Sequence, residues 1–159
     1  MIVDTEICIA TVRKEIAECE SENYGWSFSD IDESNLSFQV SMKAKDGEDF
    51  IVFIKFDDYK HLPLLIDFMD PTTKEVGVKT AYPRDSTSFF HPGKVTICHP
   101  CNRKAYRGYT GLHNDWGDPS GWQNNPNVGG LKSLKPILEA IYFRITNDNY
   151  NGRMENRKA

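Results

Sequence analysis

The chain has 159 residues, of which 39% are hydrophobic and 26% charged, and its formal net charge is -4. This length suffices for one soluble domain with a real core and is too short for two comfortable ones. No long basic run favours nucleic acid as a partner, and the sequence shows neither a membrane-spanning apolar stretch nor a signal peptide. We therefore expect a cytoplasmic protein that binds neither nucleic acid nor membranes.

The cysteines are the first residues with possible chemistry, and there are four: Cys8, Cys19, Cys98 and Cys101. In a reducing compartment such residues are core residues, metal ligands or catalytic groups rather than structural disulfides. Cys8 and Cys19 lie in a helical pattern, so we expect them to behave as small buried hydrophobic residues.

The N-terminal segment has apolar residues at spacings of three and four, which predict a helix. The helix is expected from Asp4 to about Glu22, with Asp4 as its N-cap. The residues that define its buried face are Ile9, Val12, Ile16 and Cys19.

After Gly25 the apolar residues alternate with polar ones, which is typical of strands. Asp46-Gly47 interrupts the alternation and predicts a hairpin turn. We expect strands at residues 26–31, 36–42, 50–56 and 64–69. The sequence thus predicts a helix followed by a four-stranded antiparallel meander, which is an α+β scaffold.

Near the C-terminus the helical period returns between Leu134 and Ile145, with Ser133 as a suitable N-cap. Residues 70–90 and 117–130 are rich in turn-forming residues and are expected to be loops. We expect one domain over residues 1–146 and a mobile polar tail over residues 147–159.

The segment His91 to Trp122 concentrates the reactive residue types, with three of the four histidines, two of the four cysteines and two of the three tryptophans. Two interpretations compete for it. One is a nucleophilic cysteine that carries an acyl group, and the other is a Cys/His cluster that binds zinc.

The zinc interpretation uses His91, Cys98, Cys101 and His113, which supply two nitrogen and two sulfur ligands. The spacing of the two cysteines is normal for a zinc knuckle, but one histidine lies upstream of them. A thioredoxin-like role for the same C-x-x-C pair is not favoured, because that role requires a βαβ unit.

The nucleophile interpretation rests on local charge. Cys101 is followed by Asn102, Arg103 and Lys104, with Arg107 nearby. Positive charge close to a thiol favours its ionised, reactive form.

Several features of the chain follow a familiar order. Phe56, Tyr59, Pro63 and Phe68 occupy a strand, a turn and the next strand, and His91-Pro92 comes after the meander. A cysteine, a loop tryptophan (Trp116 or Trp122) and a Leu/Ile-patterned helix then follow. This order resembles the ubiquitin-conjugating enzymes. The resemblance implies their α+β fold, and it implies a cysteine that carries an acyl group as a thioester.

The resemblance leaves two candidates for the nucleophile. Cys101 lies ten residues after His91, which is the family spacing, whereas Ile97-Cys98 matches the local sequence that often surrounds the active cysteine. We favour Cys101 on the spacing. His113 and Asp115 would then serve as base and orienting carboxylate, or His113 as a loop anchor.

Two departures from the family are visible. Gly93 stands where the family has the asparagine that supports the oxyanion. Either Asn102, Asn114 or backbone N–H groups take over that role, or the aminolysis step is weak. The last two helices of the family are also missing.

The pattern resembles compact bacterial members of the family, some of them from CBASS antiphage defence operons. That resemblance implies a particular acyl donor, the C-terminal glycine of a cGAS-like nucleotidyltransferase. It implies a protein or amine acceptor, and neither a cofactor nor a metal. The alternative is a non-catalytic binding module of the same fold with a structural zinc site.

Overall fold

The computed structural model describes residues 1–155, in which there are two α-helices, eight strands and four short 3₁₀ helices. In chain order the α-helices and strands are α1 (Thr5–Glu20), β1 (Ser27–Phe28), β2 (Ser37–Lys43), β3 (Asp49–Lys55), β4 (Leu65–Met69), β5 (Pro83–Asp85), β6 (Phe90–His91), β7 (Thr96–Ile97), α2 (Leu134–Thr146) and β8 (Tyr150–Arg153). The protein is therefore a mixed α+β structure.

The central sheet contains β1 to β4 in sequential order, and every neighbouring pair is antiparallel. The predicted meander is thus confirmed. Its hairpin turn lies at Asp46-Gly47, where Gly47 adopts a φ of 86°, a conformation that favours glycine. β1 is shorter than expected, since only Ser27 and Phe28 pair as a strand.

One hydrophobic core joins the sheet to both helices. The predicted apolar face of α2 is fully buried, and in α1 the buried positions are Cys8, Val12, Glu15 and Cys19. The prediction that Cys8 and Cys19 are core residues is confirmed, with exposed fractions of 0% and 2%. Ile9 and Ile16 are only partly buried, because the buried stripe of α1 lies slightly to one side of them.

A buried carboxylate connects α1, α2 and the turn before β4. Glu15 Oε1 accepts hydrogen bonds from the Tyr59 hydroxyl and the Leu134 amide, both at 2.7 Å, and Oε2 pairs with Lys60 Nζ at 3.0 Å. Ser133 occupies the N-cap position of α2, but its side chain makes no capping hydrogen bond. Glu15 therefore satisfies an amide of the helix N-terminus from outside the helix, where a negative charge is favourable.

The C-terminal segment is not a mobile tail up to residue 155, so that prediction is wrong there. Tyr150–Arg153 forms β8 and pairs with β5, and Met154 is buried with 1% exposed. Tyr150 also packs edge-on against Phe50. β8 has only four residues and few large apolar side chains near it in the sequence. Its hydrophobic pattern is therefore too short to be detected in the sequence. The rest of the predicted tail, residues 156–159, lies outside the described residues.

Neither helix among residues 1–155 combines the length and the apolar character needed to cross a membrane.

Candidate active site

The candidate nucleophile Cys98 stands at the end of a small hairpin formed by β6 and β7. His91 Nδ1 accepts a hydrogen bond from the Lys94 amide at 3.0 Å, which closes the hairpin turn. The Cys98 amide donates to the Phe89 carbonyl at 2.7 Å. This pairing fixes the backbone of Cys98 while its side chain remains partly exposed.

A single buried asparagine attaches the segment after Cys98 to the central sheet. Asn102 Oδ1 accepts from the amides of Ile66 and Lys104, and its Nδ2 donates to Thr96 Oγ1 and the Ile97 carbonyl. These four hydrogen bonds use the full capacity of an amide side chain. Asn102 therefore has a structural role and no free group for an oxyanion.

Asn114, the other side chain considered for the oxyanion role, makes no hydrogen bond to Cys98 among the described residues. Asn114 is exposed at the surface, where its main-chain carbonyl accepts a hydrogen bond from Arg107 Nη2 at 3.2 Å. Gly93 lies in the hairpin turn, and a Cβ at that position would come within 3.1 Å of the His91 ring. Of the three kinds of oxyanion donor considered, Asn102, Asn114 and backbone N–H groups, only the backbone N–H groups near Cys98 remain.

Three of the four predicted site residues, Cys98, His113 and Asp115, come together in a row. Cys98 Sγ lies 3.1 Å from His113 Nε2, and His113 Nδ1 lies 3.4 Å from Asp115 Oδ1. The order thiol, imidazole and carboxylate is that of an activated nucleophile with an oriented base. The His113 and Asp115 side chains are 30% and 79% exposed, so the site is open to solvent.

The protonation state of the nucleophile follows from its surroundings. Partial burial raises the pKa of the Cys98 thiol above its ordinary value of 9.0. The thiol is therefore protonated at neutral pH and needs a base to accept its proton. His113 Nε2 is within hydrogen-bond reach for that purpose.

Cys101, which the spacing favoured, does not have the environment of a nucleophile. Its side chain is fully buried, with 0% exposed, and burial strongly raises the pKa of its thiol. A substrate cannot reach this sulfur without opening the core. The preference for Cys101 over Cys98 does not agree with this placement.

The basic residues that follow Cys101 in the sequence are paired with other groups and not with its thiol. Arg103 is buried and binds the carboxylate and carbonyl of Asp57. Lys104 pairs with the buried Asp67 at 2.7 Å. These cations anchor the loop to the sheet and are compensated there, so they supply no free charge to a thiolate.

The zinc interpretation is not supported by the arrangement of its four ligands. Among residues 1–155 no group of three or more His, Cys, Asp or Glu side chains converges in a way that could hold a metal ion. His91 binds its own hairpin, Cys98 faces His113, and Cys101 is in the core.

The remaining histidine of the segment, His99, has a structural contact. Its Nδ1 accepts a hydrogen bond from the Cys101 amide at 3.1 Å. Burial, with a contribution from Arg144, lowers the pKa of His99 to about 4. The ring is therefore neutral at physiological pH.

The two tryptophans of the segment separate into different roles. Trp122 is buried and its Nε1 donates to the Lys60 carbonyl at 3.1 Å, so it fixes the turn before β4. Trp116 is partly exposed and stacks on His113. The sequence analysis treated Trp116 and Trp122 only as alternatives for the loop tryptophan and missed the contact with His113. The spacing of three residues in a tight turn could have indicated it, because such side chains eclipse each other.

Comparison with protein-family models gives no match, and comparisons with curated proteins and with solved structures give none either. The functional interpretation therefore depends on the residues of the site and their geometry.

Proposed function

We propose that the protein is a cysteine acyl transferase in which Cys98 carries the acyl group as a thioester, His113 accepts the thiol proton and Asp115 faces the other nitrogen of the imidazole. The observation that carries the proposal is the 3.1 Å contact between Cys98 Sγ and His113 Nε2. Asp115 Oδ1 lies on the Nδ1 side, which favours the tautomer with a free Nε2 lone pair.

The reaction has two steps. In the first, the sulfur of Cys98 attacks the carbonyl carbon of an activated acyl donor, such as an acyl adenylate or another thioester. The S–H proton passes to His113 Nε2, a sulfur–carbon bond forms, and the bond to the leaving group breaks. Before the second step His113 releases its proton to the leaving group or to water. In the second, an amine attacks the thioester, the amide bond forms, the bond from the carbonyl carbon to the Cys98 sulfur breaks, and the proton lost by the amine passes through His113 to that sulfur.

The finer proposal is that this transferase is related to the ubiquitin-conjugating enzymes. Its support is the order of elements: α1, the four-stranded meander, His91-Pro92, a reactive cysteine, a loop tryptophan and α2. With Cys98 as the nucleophile, the match is to the local Ile97-Cys98 sequence rather than to the ten-residue spacing. Cys98 follows His91 by seven residues.

The proposed donor is the C-terminal glycine of a partner protein, with a cGAS-like nucleotidyltransferase of an antiphage defence system as the specific candidate. The acceptor is an amine or a protein lysine, and the cytoplasm is the proposed compartment because it keeps the thiol reduced. The support for this donor is the resemblance to compact bacterial conjugating enzymes. Co-expression with neighbouring genes tests it directly.

The experiment is intact-mass analysis of the protein co-expressed with its genomic neighbours, before and after reductant. We expect an added mass on wild type that reductant removes, since a thioester is cleaved by thiols. Cys98→Ser should keep the added mass after reduction as an oxyester, and Cys98→Ala should have none. The mass itself identifies the donor.

Cys101→Ala is the matched control, and it should keep the reductant-sensitive adduct. Loss of the adduct in Cys101→Ala with retention in Cys98→Ala would return the nucleophile to Cys101. Absence of an adduct from every variant, together with one zinc ion per chain under native conditions, would favour the non-catalytic binding module.

A further inference from the structure

The imidazole of His113 lies flat on the indole of Trp116. Their ring centroids are 3.8 Å apart and the ring planes differ by 5°. This is the closest aromatic pair described in the protein, and it occurs at the residue that contacts Cys98.

The local fold explains the stack. His113 is the N-cap of the 3₁₀ turn Asn114–Trp116, and side chains three residues apart in such a turn lie over one another. The His113 amide donates to the Ala105 carbonyl at 3.0 Å, which fixes the start of the turn. Backbone geometry thus brings the two rings together.

Trp116 is itself held by the segment that carries the cysteine. Its ring meets that of Tyr106 edge-on, with centroids 5.2 Å apart. Tyr106 is fully buried and its hydroxyl donates to the Pro100 carbonyl at 2.8 Å. Pro100 belongs to the turn immediately after Cys98, so one chain of contacts links the base to the nucleophile's own backbone.

Asp115 is a weaker support for His113 than this stack. Its carboxylate is 79% exposed, and the 3.4 Å separation from Nδ1 is longer than a well-formed hydrogen bond. Exposed ion pairs of this kind contribute little, because water competes for both groups.

From this comparison we infer that Trp116, rather than Asp115, is the main positioning residue for the base. The inference rests on the proposed function. Trp116 keeps the imidazole plane fixed with Nε2 directed at the Cys98 sulfur. It also places the face of the indole against the ring that becomes a cation when the proton leaves Cys98, and an aromatic face attracts cations.

The test measures alkylation of Cys98 by iodoacetamide in the full chain, with each cysteine followed by peptide mass spectrometry. In this reaction the S–H proton passes to His113, the sulfur–carbon bond forms, and iodide leaves. The rate is measured across the neutral to alkaline range for wild type, His113→Ala, Trp116→Leu, Trp116→Phe and Asp115→Asn.

We expect His113→Ala to slow alkylation at neutral pH by about 10²-fold, the lower range for loss of a general base. Trp116→Leu should slow it by about 3- to 20-fold, the rate equivalent of a lost cation–π contact. Trp116→Phe keeps an aromatic face and should recover most of the rate. Asp115→Asn should have the smallest effect of the four.

The shape of the pH profile distinguishes a positioning role of Trp116 from a general destabilisation of the fold. In Trp116→Leu the rise in rate should move to higher pH, toward the profile of His113→Ala. A merely structural role would change the rate by one factor at every pH. Trp122→Phe is the control, because that buried tryptophan contacts Lys60 and not His113, and its profile should match wild type.

The two proposals fail in different ways. If His113→Ala alkylates as fast as wild type, the proposed function and this inference are both wrong. If His113→Ala is slow but Trp116→Leu behaves as wild type, or Asp115→Asn is slower than Trp116→Leu, only the role of Trp116 is overturned. Trp116→Met, an unbranched and flexible apolar replacement of about the same volume as leucine, gives the same comparison if Trp116→Leu does not fold.

Discussion

Two clusters in the protein are each built around one ionisable side chain that joins distant segments, and they differ in tightness. Glu15 has three partners at 2.7 to 3.0 Å, and its side chain is 7% exposed. His113 has polar partners at 3.1 and 3.4 Å, and its side chain is 30% exposed. In the first cluster, no space remains beside Glu15 for a substrate or for a group that exchanges a proton with it. In the second, the partly exposed His113 leaves space for a substrate and can itself accept a proton.

The charge balance of the two clusters supports the same division. The carboxylate of Glu15 faces the Lys60 ammonium and the N-terminus of α2, so its charge is compensated within the fold. Around Cys98 the thiol is protonated, because burial raises its pKa, and its proton can pass to His113 Nε2, 3.1 Å away. Substitutions in the first cluster should therefore change stability, and substitutions in the second should change reactivity.

The largest effect on stability is expected from Glu15→Ala. This substitution leaves the buried Tyr59 hydroxyl and the Leu134 amide without their acceptor, and it removes the partner of Lys60. We expect the free energy of unfolding to fall by about 2–4 kcal/mol, because two buried donors lose their acceptor, whereas the Lys60 ammonium is 38% exposed and can be hydrated instead. Urea denaturation followed by circular dichroism measures it.

Glu18→Ala provides the matched control on the same helix. Glu18 is exposed, and the expected change in unfolding free energy is within about 0.5 kcal/mol. Equal losses in both variants would show that the effect comes from the helix in general. The joining role assigned to Glu15 would then be wrong.

Substitutions of the two cysteines of the C-x-x-C pair should likewise differ in their effect on stability. Cys101→Ala removes a fully buried sulfur and should lower the free energy of unfolding by about 1–2 kcal/mol. Cys98→Ala removes a partly exposed side chain and should lower it by less than about 1 kcal/mol. A larger loss for Cys98→Ala than for Cys101→Ala would contradict the assignment of the core position to Cys101.

Much of the scaffold could be predicted from the sequence because its elements are long and periodic. Apolar spacing predicts the four strands of the meander and the buried face of α2, and the interruption of that spacing at Asp46-Gly47 predicts the turn. β8 could not be predicted in this way, since its pairing with β5 depends on contacts far apart in the chain. The role of Glu15 is of the same kind, because a helical pattern does not reveal which polar residue turns inward.

The residue types of the candidate site could be selected from the sequence, whereas their arrangement in space could not. Sequence reasoning selected Cys98, Cys101, His113 and Asp115, but it ranked the cysteines by their spacing from His91. Spacing along the chain does not show which thiol faces solvent. The basic residues near Cys101 misled for the same reason, since Arg103 and Lys104 are directed at Asp57 and Asp67.

A smaller, pH-dependent effect is expected from His99, which lies between the two cysteines. Its folded pKa is about 4, below the ordinary value of 6.5, because of burial and the nearby Arg144. The unfolded chain therefore binds a proton in this interval while the folded protein does not. The stability due to the neutral ring is present above about pH 6.5 and is lost as the pH falls toward 4.

Urea denaturation across this interval measures the effect, which should reach about 1–2 kcal/mol after allowance for the partial exposure of the ring. His99→Asn keeps an acceptor for the Cys101 amide and does not titrate, so its stability should change much less over the same interval. Carboxylates with lowered pKa values, such as Asp70 and Asp148, contribute mainly at lower pH. An equally steep loss in His99→Asn would show that another group is responsible. A flat profile in wild type would show that the His99 ring accepts its proton in the folded protein.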